Sequence, residues 1–400
     1  MTFKGIMAAA AVVVASLVSV GVTQPAFAAA GGLDPTFGQG GKVLTALGDG
    51  ADNAAVLQSN GDIVTGGPAG LVRLLPNGSP DTSFGTGGLA QTSFSVNSLA
   101  LQPNGELVAA GGGNGDFTVA RFTTAGILDP AFGRGGVVTT PFPQAADGAV
   151  ADAVLLEPNG DVLVGGEASV PGTTRNQPVV ELGALARYTP AGTLDTSFGT
   201  GGIVQSTASV GNIGNLGIDA AGDIFVLPVH AEFSPAGQLD SGVTPAAITA
   251  SSHGRFSAFL PTGQSLIIST AQIGRVAEVQ VKRFNADGSI DTTFNNPPFS
   301  FTGTLIGHQG GSAIAVQPDG KIVVVGQDFA GTSLFGAARL NANGSLDSGF
   351  GHAGVLTTNF QGDDSAGAVL IQPNGAIVSI GFSENKTTGA VDTALARYLG

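Results

Sequence analysis

Three features of this 400-residue sequence predict an all-β fold, a seven-bladed β-propeller of four-stranded blades. Similar phrases recur seven times, at intervals of about 50 residues. Each copy contains short apolar runs separated by glycine turns, which is the pattern of strands joined as hairpins. Helical periodicity is absent after residue 28. Four-stranded repeats of this length are typical of propeller blades, whereas the alternative, a linear β-solenoid, uses shorter repeats.

The first two strands of each copy flank a tight turn. The phrase reads VQPDGKIVVVG at 316–326 and IQPNGAIVSIG at 371–381. Proline presets φ, asparagine or aspartate tolerates the turn, and glycine accepts a positive φ, so P-N-G and P-D-G predict a hairpin. The second apolar run has no polar alternation, which indicates a strand covered on both faces.

A third strand and an anchor phrase complete each copy. In one copy the third strand reads ALARYTPAG (184–192), and the anchor LDTSFGTGG (194–202) follows. A phenylalanine lies three residues after the aspartate in every anchor phrase except the fifth along the chain, which has Val243. The anchor aspartates are Asp34, Asp81, Asp129, Asp195, Asp240, Asp291 and Asp347.

The phase of the repeat predicts that the ring closes. The chain begins with an anchor phrase, which we interpret as the fourth strand of a blade, and it ends in a third strand, ALARYLG. The N-terminal strand would therefore complete the blade formed by residues 364–400. Closure of this kind removes the exposed edges that both termini would otherwise present. We predict one propeller over residues 29–400.

Residues 1–28 are predicted to form a cleaved signal peptide. Lys4 supplies positive charge, 6–22 is an apolar run, and Ala26-Phe27-Ala28 is an A-x-A cleavage site. The alternative is an uncleaved anchor, since the apolar run approaches the length of a membrane span. We expect a secreted, extracellular protein without a stable membrane anchor.

Composition excludes several classes of function. The chain has no cysteine, which excludes disulfides, cysteine-bound zinc, iron–sulfur centres and thiol nucleophiles. The net charge of −14 argues against nucleic-acid binding, which needs basic patches. The motifs G-x-S-x-G, G-x-x-x-x-G-K-[ST] and G-x-G-x-x-G are absent. We expect no nucleic-acid partner, no organic cofactor and a monomeric chain.

Together these phrases resemble the delta-60 repeat family of bacterial exported proteins, whose pattern is LQPDGKIVVAG … ALARLNxDGSLDxxFG. The resemblance covers essentially the whole chain after residue 28, and copies four and five depart from the pattern. It implies an array of propeller-like repeats. It implies no established activity.

An arginine lies eight residues before most anchor aspartates. Its guanidinium can bind a carboxylate through two hydrogen bonds, so we predict a structural strap between the third and fourth strands of a blade. The alternative is a ring of ligand-binding arginines. In the fourth copy Glu232 replaces the arginine. The pairs are Arg73/Asp81, Arg121/Asp129, Arg187/Asp195, Arg283/Asp291 and Arg339/Asp347, and Arg397 would face Asp34 across the closure.

Acidic residues recur near the start of the first strand of three copies. Alternate connections of a blade emerge on the same face, so these residues should share a face with the variable loop over 167–183. We predict that they bind a ligand or divalent cation, and the alternative is a set of solvated acidic loops. Oxygen-bearing turn residues also suit Ca²⁺, although turn chemistry accounts for them. The predicted binding residues are Asp52, Asp147, Asp152, Asp363 and Asp364.

A second candidate is a metal site of His230, Glu232 and His253, in the irregular copies four and five. The alternative there is decay of the repeat. The leading functional hypothesis is a non-catalytic propeller that binds a protein, a glycan or a surface component. The alternative is a hydrolase or lyase, of the lactonase or lyase type, that uses carboxylates and a divalent metal.

Overall fold

A computed structural model of the chain describes residues 29–48, 50, 54–143, 145, 148–171, 180–206, 211–228, 230–240, 249–250, 256–273, 276–301, 310–329 and 333–400. The regular elements in this part of the chain are β-strands. No helix among these residues has the length and apolar character needed to cross a membrane. Asp52, Asp147, His253 and the predicted signal peptide lie outside the described residues.

Antiparallel sheets follow one another along the chain, one for each copy of the repeat, as predicted. The first strand, β1 (Lys42–Thr45), belongs to the last blade. Blade one contains β2 (Ala54–Leu57), β3 (Ile63–Gly67), β4 (Gly70–Leu74) and β5 (Leu89–Gln91). Blade two contains β6 (Ser95–Leu101), β7 (Leu107–Gly113), β8 (Asp116–Phe122) and β9 (Val137–Thr140). Blade three contains β10 (Ala149–Leu156), β11 (Val162–Val170), β12 (Val180–Tyr188) and β13 (Ile203–Gln205).

The remaining blades follow the same order, with the first strand innermost. Blade four contains β14 (Asn215–Ile218), β15 (Ile224–Leu227), β16 (Ala231–Phe233) and β17 (Leu239–Asp240), and β18 (Thr249–Ala250) adds to its inner edge. Blade five contains β19 (Ser257–Phe259), β20 (Ser265–Ile273) and β21 (Val276–Phe284). Blade six contains β22 (Gly310–Val316), β23 (Ile322–Phe329), β24 (Ser333–Leu340) and β25 (Val355–Thr358). Blade seven contains β26 (Asp363–Ile371), β27 (Ile377–Glu384) and β28 (Val391–Tyr398).

The ring closes through the two ends of the chain, which confirms the prediction. Strand β1 pairs antiparallel with β28, with Lys42 opposite Ala396 and Thr45 opposite Thr393. The Asp34 amide donates to the Arg397 carbonyl at 2.9 Å. Blade seven therefore has four strands, and its outermost strand comes from the N-terminal region.

The innermost strands surround a central channel. Each packs against the innermost strand of the next blade around the whole ring. The apolar core is divided into clusters that lie between neighbouring blades, and the anchor phenylalanines Phe37, Phe84, Phe132, Phe198 and Phe350 are fully buried in them. Face-to-face burial of this kind explains why the middle strands are apolar without alternation.

The anchor phrase forms a compact turn rather than the fourth strand that we predicted. In the first copy Gly38, Gly40 and Gly41 have φ angles of 52°, 61° and 91°. Three left-handed residues within four positions are incompatible with extended backbone. The fourth strand begins directly after this turn, at Lys42.

Blade five departs from the four-stranded prediction. Its sheet has three strands, and an isolated bridge between Val279 and Phe299 takes the place of the fourth. The Val279 amide donates to the Phe299 carbonyl at 2.9 Å, and the Phe299 amide donates back at 2.9 Å. This copy also lacks the tandem glycines of the anchor, so its anchor has no left-handed glycine turn like the one that precedes the fourth strand in the first copy.

Candidate functional site

The arginine of each strap contacts its anchor aspartate. Arg121 Nε donates to Asp129 Oδ2 at 2.8 Å, and Arg121 Nη2 lies 2.6 Å from the same oxygen. The Arg121 guanidinium also lies over the Phe132 ring, 5.0 Å from its centroid. The other arginines donate from Nε to their aspartates at 2.7–2.9 Å: Arg73 to Asp81, Arg187 to Asp195, Arg283 to Asp291, Arg339 to Asp347 and Arg397 to Asp34.

Most of these arginines also cross to the next blade, which the spacing alone could not predict. Arg121 Nη1 donates to the Pro190 carbonyl of blade three at 2.6 Å. Arg397 of blade seven reaches the Pro76 carbonyl of blade one at 2.7 Å. The arginine therefore joins its own blade to the following one, and this role explains its repetition around the ring.

The P-N-G turns and the anchor turns lie on one face of the propeller. On the opposite face, two β-bulges bring polar side chains of neighbouring blades together. We call this the loop face, because the connections between second and third strands and between blades lie there. Asn97 is the extra residue of a bulge in β6, and Asp152 is the extra residue of a bulge in β10. Bulges commonly re-aim a side chain. Asn97 Nδ2 donates to Asp152 Oδ1 at 3.2 Å.

Asn212 and Glu167 complete this group, which we call the loop-face cluster (Asn97, Asp152, Glu167 and Asn212). Asn212 Nδ2 donates to Asp152 Oδ2 at 3.1 Å and to Glu167 Oε2 at 3.0 Å. Within the described residues, Asn212 Oδ1 is buried and has no hydrogen-bond partner. Burial, with the nearby carboxylates of Glu181 and Asp152, raises the pKa of Glu167. Two carboxylates and two amides thus share one site.

The chemistry of the loop-face cluster suits oxygen-rich ligands. Carboxylate and amide oxygens are ligands that Ca²⁺ accepts, and the same groups hydrogen-bond hydroxyls. In the part of the chain that the structure describes, no three His, Asp or Glu side chains are arranged to hold a metal ion. A cation at this cluster would therefore depend on the amide oxygens of Asn97 and Asn212 as well as on the carboxylates.

The predicted acidic residues that the structure describes lie in two blades. Asp152 belongs to blade three, whereas Asp363 and Asp364 begin β26 of blade seven. Asp363 lies 2.9 Å from Lys386 Nζ. Asp364 is fully buried, and its Oδ2 accepts the Phe360 amide at 2.7 Å. Burial raises the pKa of Asp364.

Sequence reasoning identified only one member of the loop-face cluster, Asp152. A signal for Asn97 was present, because Asn97 and Asp152 both lie seven residues before the turn asparagine of their blades. Glu167 and Asn212 carry no comparable signal. Glu167 lies within β11, and Asn212 precedes β14 in an irregular connection.

His230 joins blade four to blade five. Its Nε2 lies 2.8 Å from Ser265 Oγ, and its ring lies 4.4 Å from the Phe284 ring. Burial lowers the pKa of His230, so the imidazole is neutral near pH 7. The equivalent positions of blades one and two hold Leu71 and Leu107, which share one apolar cluster.

Glu232, the second residue of the predicted metal site, lies opposite Asp240 in the pairing of β16 with β17. The third residue, His253, lies outside the described residues. The polar contact between His230 and Ser265 thus takes the place of an apolar one, beside the position where Glu232 replaces the strap arginine.

The central channel has one end on the loop face and the other on the turn face, which is the face that carries the P-N-G turns. A cavity of about 820 Å³ lies there, between the inner strands of blades four to seven and blade one. Its wall includes Leu57, Phe259, Val316 and Ile371, each the last residue of an innermost strand. We call it the channel cavity.

A family description, the domain of unknown function DUF5122 with a β-propeller fold, matches residues 58–84, 102–132, 157–198, 263–294 and 317–350. Most of these stretches begin at the first turn of a blade, and each ends at the anchor phenylalanine. None of them falls in blade four, where Glu232 replaces the strap arginine. No curated protein matches the sequence.

Several solved structures have a similar chain path. They include a virginiamycin B lyase from Staphylococcus aureus, with 12% identity, a TM-score of 0.47, and 89% of this chain and 98% of that chain covered. A gluconolactonase from Xanthomonas campestris has 13% identity, a TM-score of 0.38 and 88% of each chain covered. A calcium-binding regucalcin from Agrobacterium tumefaciens has 11% identity, a TM-score of 0.43, and 90% and 95% covered. The chain itself is a seven-bladed β-propeller.

Proposed function

We propose that the protein is a secreted, non-catalytic binding propeller whose loop face holds a glycan of a partner or surface component. The loop-face cluster is the observation that supports this proposal. Asn212 donates to both Asp152 and Glu167, so amide and carboxylate groups already lie side by side. Adjacent sugar hydroxyls match such a set, because each carboxylate accepts two hydrogen bonds and each amide both donates and accepts.

The strap residues and His230 have structural partners. The strap aspartates accept from arginines that tie one blade to the next, and His230 contacts Ser265 across a blade interface. These contacts account for the most regular polar features of the sequence without invoking catalysis. The loop-face cluster differs, because it depends on Glu167 and Asn212, for which the repeat pattern gives no signal.

Saturation-transfer NMR with a panel of neutral mono- and oligosaccharides tests the proposal, because it detects binding of each sugar to the protein. We expect saturable binding of at least one sugar and its loss in the double variant Asp152→Asn/Glu167→Gln, which keeps side-chain size. Asp161→Asn, on the turn face of the same blade, is the matched control and should bind normally. Absence of binding across the panel, or full binding by the double variant, would contradict the proposal.

A divalent-cation enzyme of the lactonase or lyase type is the second candidate. Two carboxylates and two amides within hydrogen-bond reach of one another favour it, since hard cations take oxygen ligands. Calorimetric titration with calcium chloride should then give a saturable heat that Asp152→Asn reduces. Hydrolysis of glucono-δ-lactone that stops on chelation would establish the enzyme. Calcium binding without hydrolysis would leave a cation-dependent binding site.

We also propose that the chain is exported and cleaved after Ala28. The support is the sequence of residues 1–28, with its apolar run and A-x-A site. N-terminal sequencing of protein recovered from the culture medium should begin at Ala29. Material that begins at Met1 would contradict cleavage and favour the uncleaved anchor.

A further inference from the structure

The channel cavity has the size and the wall of a small-molecule site. Its volume of about 820 Å³ lies within the range of about 300–1,000 Å³ that such sites occupy. Leu57, Phe259, Val316 and Ile371 line it and are only half-buried. A ligand that covered these four side chains would remove apolar surface from water, which is favourable.

The charge on the cavity wall is already neutralised. Among the described lining residues Arg283 alone is charged. Its Nε donates to Asp291 Oδ2 at 2.7 Å, its Nη1 donates to the Ala342 carbonyl at 2.8 Å, and its guanidinium stacks on Phe294. An ionic ligand would lose its hydration here without gaining a free counter-charge, which is costly. The wall therefore favours an uncharged ligand.

A buried amide supplies one polar position in this apolar wall. Gln317 lines the cavity and is only 7% exposed. Its Nε2 donates to the Gly375 carbonyl at 3.1 Å, whereas its Oε1 has no hydrogen-bond partner among the described residues. An unsatisfied buried acceptor is unfavourable. Because Oε1 is itself buried, the Gln317 side chain must rotate toward the cavity before a hydroxyl or N–H group on a ligand can supply the missing donor.

From this geometry we propose that the channel cavity binds an uncharged, mainly apolar small molecule that carries a hydrogen-bond donor. The site lies on the turn face, at the opposite end of the channel from the loop-face cluster. The two sites share no residue, so this inference does not depend on the proposed glycan or cation binding.

Fluorescence titration with N-phenyl-1-naphthylamine tests the inference. This probe is uncharged and apolar, and its amine provides one N–H donor. We expect a saturable rise in fluorescence with a single site on the monomeric wild-type protein. Val316→Asp places a charge in the apolar wall and should weaken binding at least tenfold, while Ile127→Asp, at an exposed turn residue, should have no effect.

If Val316→Asp fails to fold, a second and milder pair of variants tests whether the probe binds in the channel cavity. Gln317→Leu removes the acceptor and should weaken binding about three- to tenfold, the range expected for one hydrogen bond. Gln102→Leu is the matched control, because Gln102 occupies the same turn position in blade two, its Oε1 also lacks a partner, and it does not line this cavity. Circular dichroism and thermal unfolding verify the fold of each variant.

Three results would overturn the inference. The first is the absence of saturable probe binding to the wild-type protein. The second is an equal loss of affinity in Gln317→Leu and Gln102→Leu, or unchanged affinity in both Val316→Asp and Gln317→Leu. The third is probe binding that appears only with dimer formation in size-exclusion chromatography with light scattering, because the apolar surface would then join two copies of the chain.

Discussion

At the residue scale, each anchor aspartate that pairs with an arginine has two separate tasks, one for each carboxylate oxygen. Asp291 Oδ1 accepts the Thr293 amide at 2.9 Å and the Thr293 hydroxyl at 2.6 Å, which fixes the turn. Its Oδ2 accepts Arg283 Nε at 2.7 Å. An asparagine could replace only one of these acceptors, and a glutamate would lie too far from its own turn. The eight-residue spacing predicted the arginine partner but not the carbonyl of the next blade, because that contact is between distant parts of the chain.

Removal of one strap arginine should destabilise the ring. Arg121→Ala deletes the hydrogen bonds to Asp129 and to the Pro190 carbonyl and leaves the Asp129 carboxylate unpaired. We expect a loss of about 1–3 kcal/mol in the free energy of unfolding, measured by urea denaturation. In a double-mutant cycle, Asp129→Ala should recover part of the loss. Additive effects of the two substitutions would show that the residues do not interact.

Acid should weaken the straps together. Hydrogen bonds from Thr293, assisted by Arg283, lower the pKa of Asp291 from 3.8 to about 2. A carboxyl with a lowered pKa in the folded state stabilises the fold above its unfolded pKa, and this contribution is lost as the pH falls through the folded pKa. The pKa is also lowered at Asp34, Asp81, Asp129, Asp195 and Asp347.

We therefore expect a thermal unfolding midpoint that changes little at neutral pH and falls between pH 3.8 and about 2. Asp291→Asn should reduce the steepness of this fall, because one titrating strap is removed. Asp116→Asn, which alters a carboxylate at the opposite end of β8 from the strap arginine Arg121, is the control. Equal pH profiles for Asp291→Asn and the wild-type protein would contradict the assignment of the acid sensitivity to the straps.

At the scale of the element, local signals predicted the strands and their turns well. A P-N-G turn and its flanking apolar runs lie within a dozen residues, so their physics is contained in the local sequence. The anchor phrase was harder to interpret, because its apolar residues look like a strand while its glycines fix a turn. Fourth strands were predicted from repetition alone, and among the described residues of blade five an isolated bridge takes the place of the fourth strand.

Glycines of the turn between the third strand and the anchor hold neighbouring blades close together. Gly126 has a φ of +75°, and an added Cβ would lie 2.8 Å from the Gly85 nitrogen and from the Phe84 ring of blade one. Gly135, in the same blade, has a φ of +64° and nothing within 4 Å of such a Cβ. Substitution of either glycine would strain the backbone, but only substitution of Gly126 would also cause a clash between blades.

Gly126→Ala should therefore destabilise more than Gly135→Ala. Both substitutions incur the strain of a left-handed alanine, about 1–2 kcal/mol. Gly126→Ala adds overpacking against backbone, which typically costs about 1–3 kcal/mol more. Chemical denaturation of the two variants gives the difference directly. Equal losses would mean that blades one and two separate enough to admit a methyl group.

At the scale of the whole molecule, the ring could be predicted from the sequence, whereas the loop-face cluster could not. Repeat phase fixes how the two ends of the chain meet, and this is independent of the details of any blade. The cluster depends on which side chains meet between blades: Asn97 and Asp152 are 55 residues apart, and Asn212 lies 60 residues beyond Asp152. The acidic pattern predicted Asp152, Asp363 and Asp364 as binding residues of different copies, but not the contacts of Asp152 with Asn97 and Asn212.

The final prediction concerns closure of the ring by the N-terminal strand. Deletion of residues 33–46 removes β1, its pairing with β28 and the Arg397–Asp34 strap, and it exposes the edge of β28. We expect a lower thermal midpoint and concentration-dependent association, since an unpaired edge recruits other strands. Deletion of 386–389 is the control, because it shortens an exposed connection of the same blade and should have a smaller effect.

A synthetic peptide covering residues 29–48 should restore the thermal midpoint of the 33–46 deletion variant when it is added in trans. The peptide carries both the strand and Asp34, so it can re-form the pairing with Ala396 and the contact with Arg397 by strand addition. Rescue should fail with a peptide that carries Asp34→Ala if the strap contributes to closure. A deletion variant that unfolds like the wild-type protein would show that the N-terminal strand does not hold the ring closed.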